Sequence, residues 1–178
     1  MRVLVHVVAT LALTARGAFA ETFSPTTLGK EGGGPHGDWF TDLDDVVPGM
    51  KVRSVFIRGA ERIDAIGMTI VKPSGEERTF RHGGYGGTEQ SWDLADGEYI
   101  KRVAWTTDTH KGRTRIFWLE YLTNTGRKLS LTPYSDESGS YDYDLAPPGF
   151  QLGGFVGGAG KEIDRLQPIW TCVTASCS

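Results

Sequence analysis

Three glycine clusters limit this chain more than any other feature: Gly32-Gly33-Gly34-Pro35-His36-Gly37, His82-Gly83-Gly84-Tyr85-Gly86-Gly87 and Gly153-Gly154-Phe155-Val156-Gly157-Gly158. With 24 glycines in 178 residues and only short β-branched and aromatic runs between them, a long helix has nowhere to form. The runs 51–58, 65–71, 99–105, 115–123 and 128–131 have strand length and strand chemistry. Turn signals separate them, at Pro48-Gly49, Pro73-Ser74-Gly75, Asp96-Gly97, Asn124-Thr125-Gly126 and Pro147-Pro148-Gly149. The expected class is all-β, and the length suits one domain.

The chain also repeats itself. Arg62-Ile63-Asp64-Ala65-Ile66-Gly67-Met68 is echoed by Glu162-Ile163-Asp164-Arg165-Leu166-Gln167-Pro168, and a weaker copy runs over 114–122, so that copies are about fifty residues apart. The first two units end in similar turns, Lys72-Pro73-Ser74-Gly75 and Thr123-Asn124-Thr125-Gly126. Three related four-stranded units place equivalent loops around a pseudo-threefold axis. Glycines repeated at those loops free the backbone amides for close approach by a ligand or another strand.

The first twenty residues read as an export signal at 1–20, with Arg2, an apolar run over 3–13 and the cleavage pattern Ala18-Phe19-Ala20. His6, Thr10, Thr14, Arg16 and Gly17 interrupt the run, which disfavours a membrane anchor. Cleavage removes Arg2 and Arg16 and leaves 17 basic against 22 acidic residues. That balance, with no basic stripe, argues against nucleic acid as a partner. Cys172 and Cys177 either close a short loop in the C-terminal tail or remain two thiols on a frayed end; no Cys-x-x-Cys redox motif exists.

Taken in order, several segments resemble the jacalin-related lectins over about 28–170: the Gly-rich opening with Phe40 and Asp42, Ile63-Asp64-Ala65-Ile66-Gly67, His82-Gly83-Gly84 with Gly86-Gly87, Gly97-Glu98-Tyr99-Ile100, Thr123-Asn124-Thr125-Gly126-Arg127, and Gly153-Gly154-Phe155 leading to Gly160-Lys161-Glu162-Ile163-Asp164. The resemblance implies a single jacalin-like lectin domain at 21–178, with a tail carrying Cys172 and Cys177. Its fold would be a β-prism I of three four-stranded Greek-key sheets with pseudo-threefold symmetry. It also implies a sugar site at one end. The family's Gly-x-x-x-Asp motif falls on Gly160 to Asp164, with Asp164 as acceptor, the amides of Lys161 and Glu162 as donors, and Gly37 completing the site, or Gly34 if the loop shifts. A second site would use Asp64 with Gly84 and Tyr85, but Gly59 to Asp64 is one residue longer than the motif. Lys161 and Glu162, standing where galactose-preferring relatives carry aromatics, point to mannose- or glucose-type glycans.

The chemistry suits this assignment. An ionised carboxylate beside backbone donors reads vicinal hydroxyls that both donate and accept. The plainer role for Asp164 is to cap its own loop. Tyr85 either stacks on a sugar face or sits half-buried, while Trp39, Trp92, Trp105, Trp118 and Trp170 are assigned to packing. An enzyme reading would rest on pairs among Asp42, Asp44, Asp45, Asp142 and Asp144, as in glycoside hydrolysis. His82 and His110 lie in different loops, and neither a Ser-His-Asp arrangement nor metal spacing is apparent. The expectation is therefore a secreted, extracellular lectin that binds glycans without catalysis, metal or cofactor and without membrane insertion, with oligomerisation as a source of avidity. The competing reading is an interaction module on the same fold that has lost sugar binding.

Overall fold

The computed structural model describes residues 24–131 and 139–176; the expected signal at 1–20 and Cys177 lie outside them. Among the described residues there are thirteen strands and no helix. One sheet holds β4 (Lys51–Gly59), β5 (Ile63–Val71), β6 (Glu77–Gly83) and β7 (Thr88–Asp93) in the order β6-β5-β4-β7. A second holds β8 (Ile100–His110), β9 (Arg113–Thr123), β10 (Lys128–Ser130) and β11 (Ser140–Leu145) as β10-β9-β8-β11. The third brings the two ends of the chain together, with β1 (Thr26–Leu28), β3 (Asp38–Thr41), β12 (Phe150–Ala159) and β13 (Ile163–Cys172) as β1-β13-β12-β3. The two-residue β2 (Gly32–Gly33) also pairs with β13. Three sheets, each a central hairpin with a strand on either side, make the β-prism.

The repeat seen in the sequence is a repeat of backbone geometry. Each central hairpin carries two register shifts, and those in β4/β5 at Arg58/Gly59 and in β12/β13 at Gly158/Ala159 lie one hundred residues apart. Lys72 donates to Glu76 O and Gly75 to Lys72 O; the later turn repeats the pattern, Thr123 to Arg127 O and Gly126 to Thr123 O. β4 alternates buried and exposed positions, as a strand with one covered face does. β6 and β7, by contrast, are polar and largely exposed, so apolar alternation gives no sign of them.

Trp105, Trp170, Tyr121, Phe155, Ile57, Ile66 and Met68 meet between the sheets and are fully buried, each large apolar group contributing about 1.5–3 kcal/mol. Trp39 is not in this core. It stands 63% exposed on an edge strand, with the Arg165 guanidinium 5.2 Å from its ring.

Carboxylates tie the sheets together. Asp144 accepts hydrogen bonds from the Trp170 indole (2.7 Å) and the Lys30 amide (2.9 Å), and Asp142 pairs with the Lys30 ammonium at 2.6 Å. Buried Asp42 accepts from the Phe155 amide at 2.9 Å and bonds His82 Nε2 at 2.8 Å, joining the third sheet to the first. His82 in turn stacks on Phe40 with centroids 3.8 Å apart. Asp45 pairs with Lys72 at 2.6 Å. Four of the five carboxylates weighed for hydrolysis are thus committed to structural bonds. Replacing Asp144 with alanine strands a buried indole N–H, so it is expected to cost about 1–3 kcal/mol and to lower the melting temperature by roughly 3–10 °C in a thermal scan.

Candidate functional site

One end of the prism is built from the β4–β5 turn, the β12–β13 turn and the two glycine loops that follow β2 and β6. Gly160 N donates to Glu162 O at 3.0 Å and Ala60 N to Arg62 O at 3.2 Å, so the two turns share one geometry. Ala60, not Gly59, therefore occupies the position of Gly160. The extra residue read from the sequence does not exist, because Gly59 belongs to the strand bulge and pairs with Ile63 as Ala159 does. What differs at the second turn is an alanine in place of the motif glycine.

The glycine loops are matched as closely. Gly34 N donates to Asp164 O and Gly84 N to Asp64 O, both at 2.8 Å, pinning each loop against the strand that bears the carboxylate. Gly37 has φ +81°, and a Cβ there would fall 2.7 Å from Asp164 Oδ2, so only glycine leaves the carboxylate room. Gly34 lies against Thr114 instead, which places Gly37, the ungapped match, beside the acid. Gly86 is the residue that faces Asp64, a Cβ there lying 3.0 Å from Oδ2. Gly84 packs on the backbone of Lys161, so the two candidate sites share a wall. Tyr85 projects from this loop 81% exposed, with the Arg81 guanidinium 5.0 Å from its ring.

At the third corner the β8–β9 turn is a two-residue reversal with Lys111 at φ 51° and Gly112 at φ 74°, and Thr114 stands where the other two units carry aspartate. Pseudo-threefold symmetry of the backbone thus supports two acidic corners.

The two acids differ in their surroundings. Asp164 is buried, and its Oδ1 is in ion-pair contact with Arg115 Nη1, which reaches it from β9 in another sheet. Arg115 also donates to Thr114 O at 3.0 Å, and its Nε lies 3.4 Å from Glu162. Burial raises the Asp164 pKa above the ordinary carboxylate value despite the opposing charge of Arg115. Asp64 is half-buried, and among the described residues its side chain has neither a hydrogen bond nor an ion pair. Burial raises its pKa too, against the nearby charge of Arg62. Glu162 receives Arg62 Nε at 2.7 Å, bridging the two turns. Burial opposes ionisation of Glu162, but this hydrogen bond and the charges of Arg62, Arg115 and His110 outweigh it and lower its pKa. The backbone amides of Lys161 and Glu162 donate to no acceptor among the described residues.

Gly37, Lys161, Glu162 and Asp164 are therefore brought together, as are Asp64, Gly84 and Tyr85, and the two groups adjoin. Arg115 and Arg62 were not foreseen. The local pattern around Arg115 is that of a β-strand, and nothing in it signals a reach across sheets. Cys172 is buried at the end of β13, and its expected partner lies outside the described residues.

Comparison with known proteins agrees with this geometry. Residues 29–168 match the family described as Jacalin-like lectin domain. Secreted RxLR effector protein 19 from Plasmopara viticola is 29% identical over 142 residues, covering 78% of this chain and 77% of its own. Wild-type Malaysian banana lectin superposes with a TM-score of 0.69 at 26% identity, covering 83% of this chain and 97% of that one. A mannose-binding jacalin-related lectin from Ananas comosus gives 0.70 at 20% identity, covering 84% and 99%. Fold, corner geometry and family match converge: the chain belongs to the jacalin-like lectin domain family.

Proposed function

We propose that this protein is a secreted lectin that binds mannose- or glucose-type glycans at the loop end of the prism and leaves them chemically unchanged. The observation that carries the reading is the repeated cradle, a carboxylate set against a glycine loop beside turn amides that have no acceptor of their own. In it Asp64 and Asp164 accept from sugar hydroxyls while the Lys161 and Glu162 amides donate, with Gly37 and Gly86 keeping the approach to the carboxylates clear and Gly84 seating its loop. Asp64 is the readier acceptor for a neutral ring because no ion pair among the described residues competes for it, and Tyr85 offers a flat face on the same loop. The chain's first twenty residues and the secreted effector among its relatives support export, in which case closure of Cys172 with Cys177 would fix the tail.

Neutral hydrogen bonds net about 0.5–1.5 kcal/mol and charge-assisted ones about 1.5–3. A handful, set against ordering costs, gives a monosaccharide Kd on the order of millimolar. Glycan-array screening followed by calorimetry tests the reading. Asp64→Asn and Asp164→Asn are each expected to weaken binding at their own corner by about tenfold or more, and the double variant to abolish the signal. Glycan binding that survives intact in the folded double variant would place the site elsewhere, and a silent array for the native protein would favour the interaction module. Release of reducing ends from a bound oligosaccharide would contradict the non-catalytic part.

A further inference from the structure

We propose that the Asp164 corner selects glycans bearing an anionic group, a uronate carboxylate or a sulfate ester, and that Arg115 is the specificity-determining residue. The inference rests on the lectin reading and assigns the ligand class of one of its two corners.

A neutral pyranose is poorly suited to this corner. To bring two hydroxyls onto Asp164 it must compete with a guanidinium already in contact with Oδ1, and moving that guanidinium aside costs a largely buried cation its closest ion pair and leaves it only Glu162, 3.4 Å from Nε. The pair is also incompletely satisfied as it stands. Arg115 Nε and Asp164 Oδ1 are both buried and neither makes a well-aligned hydrogen bond, an arrangement that native interiors generally avoid. A ring that carries its own oxyanion resolves both problems. The anion takes the planar fork of Arg115, a donor set matched to carboxylate and sulfate, while the hydroxyls of the same ligand donate to the released Asp164.

The field around the corner points the same way. Arg113 lies close enough for its charge to act on Asp164, with His36 beside the same carboxylate and His110 beside Glu162. Exposed Lys161 stands on the rim of the same turn. Asp164 and Glu162 are the opposing charges here; Arg62 holds Glu162 at 2.7 Å, and Arg115 lies between the two carboxylates. At the Asp64 corner the charges of Arg62 and Arg58 act on the carboxylate, but among the described residues no cation forms an ion pair with it. The two acids, related by the repeat, thus face chemically different ligands.

Calorimetry in an Asp64→Asn background, which leaves only the Asp164 corner, tests this with three probes: a mannose disaccharide, the same disaccharide carrying a sulfate ester, and a uronate disaccharide. Both anionic probes are expected to bind about tenfold or more tightly than the neutral one, with an affinity that falls as salt rises. The ratio of sulfate to uronate binding then tells which oxyanion fits. Arg115→Met keeps the stem volume and removes the charge. It is expected to abolish the preference while binding of the neutral disaccharide strengthens, a gain that a merely misfolded corner would not produce. Equal binding of all three probes, or a preference that persists in Arg115→Met, overturns the assignment while leaving the lectin reading intact. If the native protein binds no glycan at all, both fall.

Discussion

Gly83→Ala is expected to destabilise the protein by about 3 kcal/mol or more, seen as a fall in melting temperature of roughly 6–12 °C, and to cost binding at the Asp64 corner as well. Gly83 sits at φ +100°, where residues with a side chain are strained, and a Cβ there would lie 2.1 Å from Asp64 O, a backbone atom that cannot swing away. Relief of the clash must push the loop off β5 and break the Gly84 N to Asp64 O bond that seats it. Gly33 is the counterpart at φ +104°, 2.2 Å by the same measure from Asp164 O, so Gly33→Ala should reproduce the loss at the other corner. Gly75 and Gly126 serve as controls. They also have positive φ but have open space around them, and alanine there is expected to cost the backbone strain alone. Equal melting temperatures for Gly83→Ala and Gly75→Ala would refute the packing argument.

The second large effect concerns Glu98, far from either acidic corner. Its carboxylate accepts from the Ala95 amide (3.0 Å), Thr125 Oγ1 (2.9 Å) and the Nε (3.1 Å) and Nη2 (2.9 Å) of Arg127. Arg127 continues to Asp93 O at 2.6 Å, so the cluster fastens the β7–β8 connection to the β9–β10 turn. Burial works against the charge, but these hydrogen bonds outweigh it and bring the Glu98 pKa from 4.5 to about 2. The folded value lies below the unfolded one, so the stabilisation is complete above pH 4.5 and is lost as pH falls toward 2. A shift of that size corresponds to at most about 3 kcal/mol, reduced by solvent screening because the Arg127 side chain is 42% exposed. Denaturant titrations of native protein and Glu98→Gln should therefore differ by about 2 kcal/mol at pH 7 and converge near pH 2. A gap that persists unchanged into acid would show that shape, not charge, holds this junction.

Much of the architecture was legible because the repeat is written in residue types with backbone consequences. Glycines at positive φ recur as Gly33 with Gly83 and Gly37 with Gly87, and the acids recur as Asp64 and Asp164. Each reports a local requirement, so the sequence displays it. β6 and β7 were not legible because most of their side chains face solvent and carry no apolar alternation. The alignment of Ala60 with Gly160 was hidden because a bulge absorbs Gly59, and only strand register reveals it. Arg115 escaped for a different reason: its role comes from the contact of two sheets, and no spacing along the chain encodes the distance from β9 to Asp164.

Both acidic corners lie at one end of the prism, and Gly84 against Lys161 together with Arg62 on Glu162 makes them neighbours. On the proposed lectin reading, one copy of the chain would chelate two arms of a single branched glycan and would not tether two opposing surfaces. Agglutination, the cross-linking of cells or particles, demands a second copy turned to face the other way.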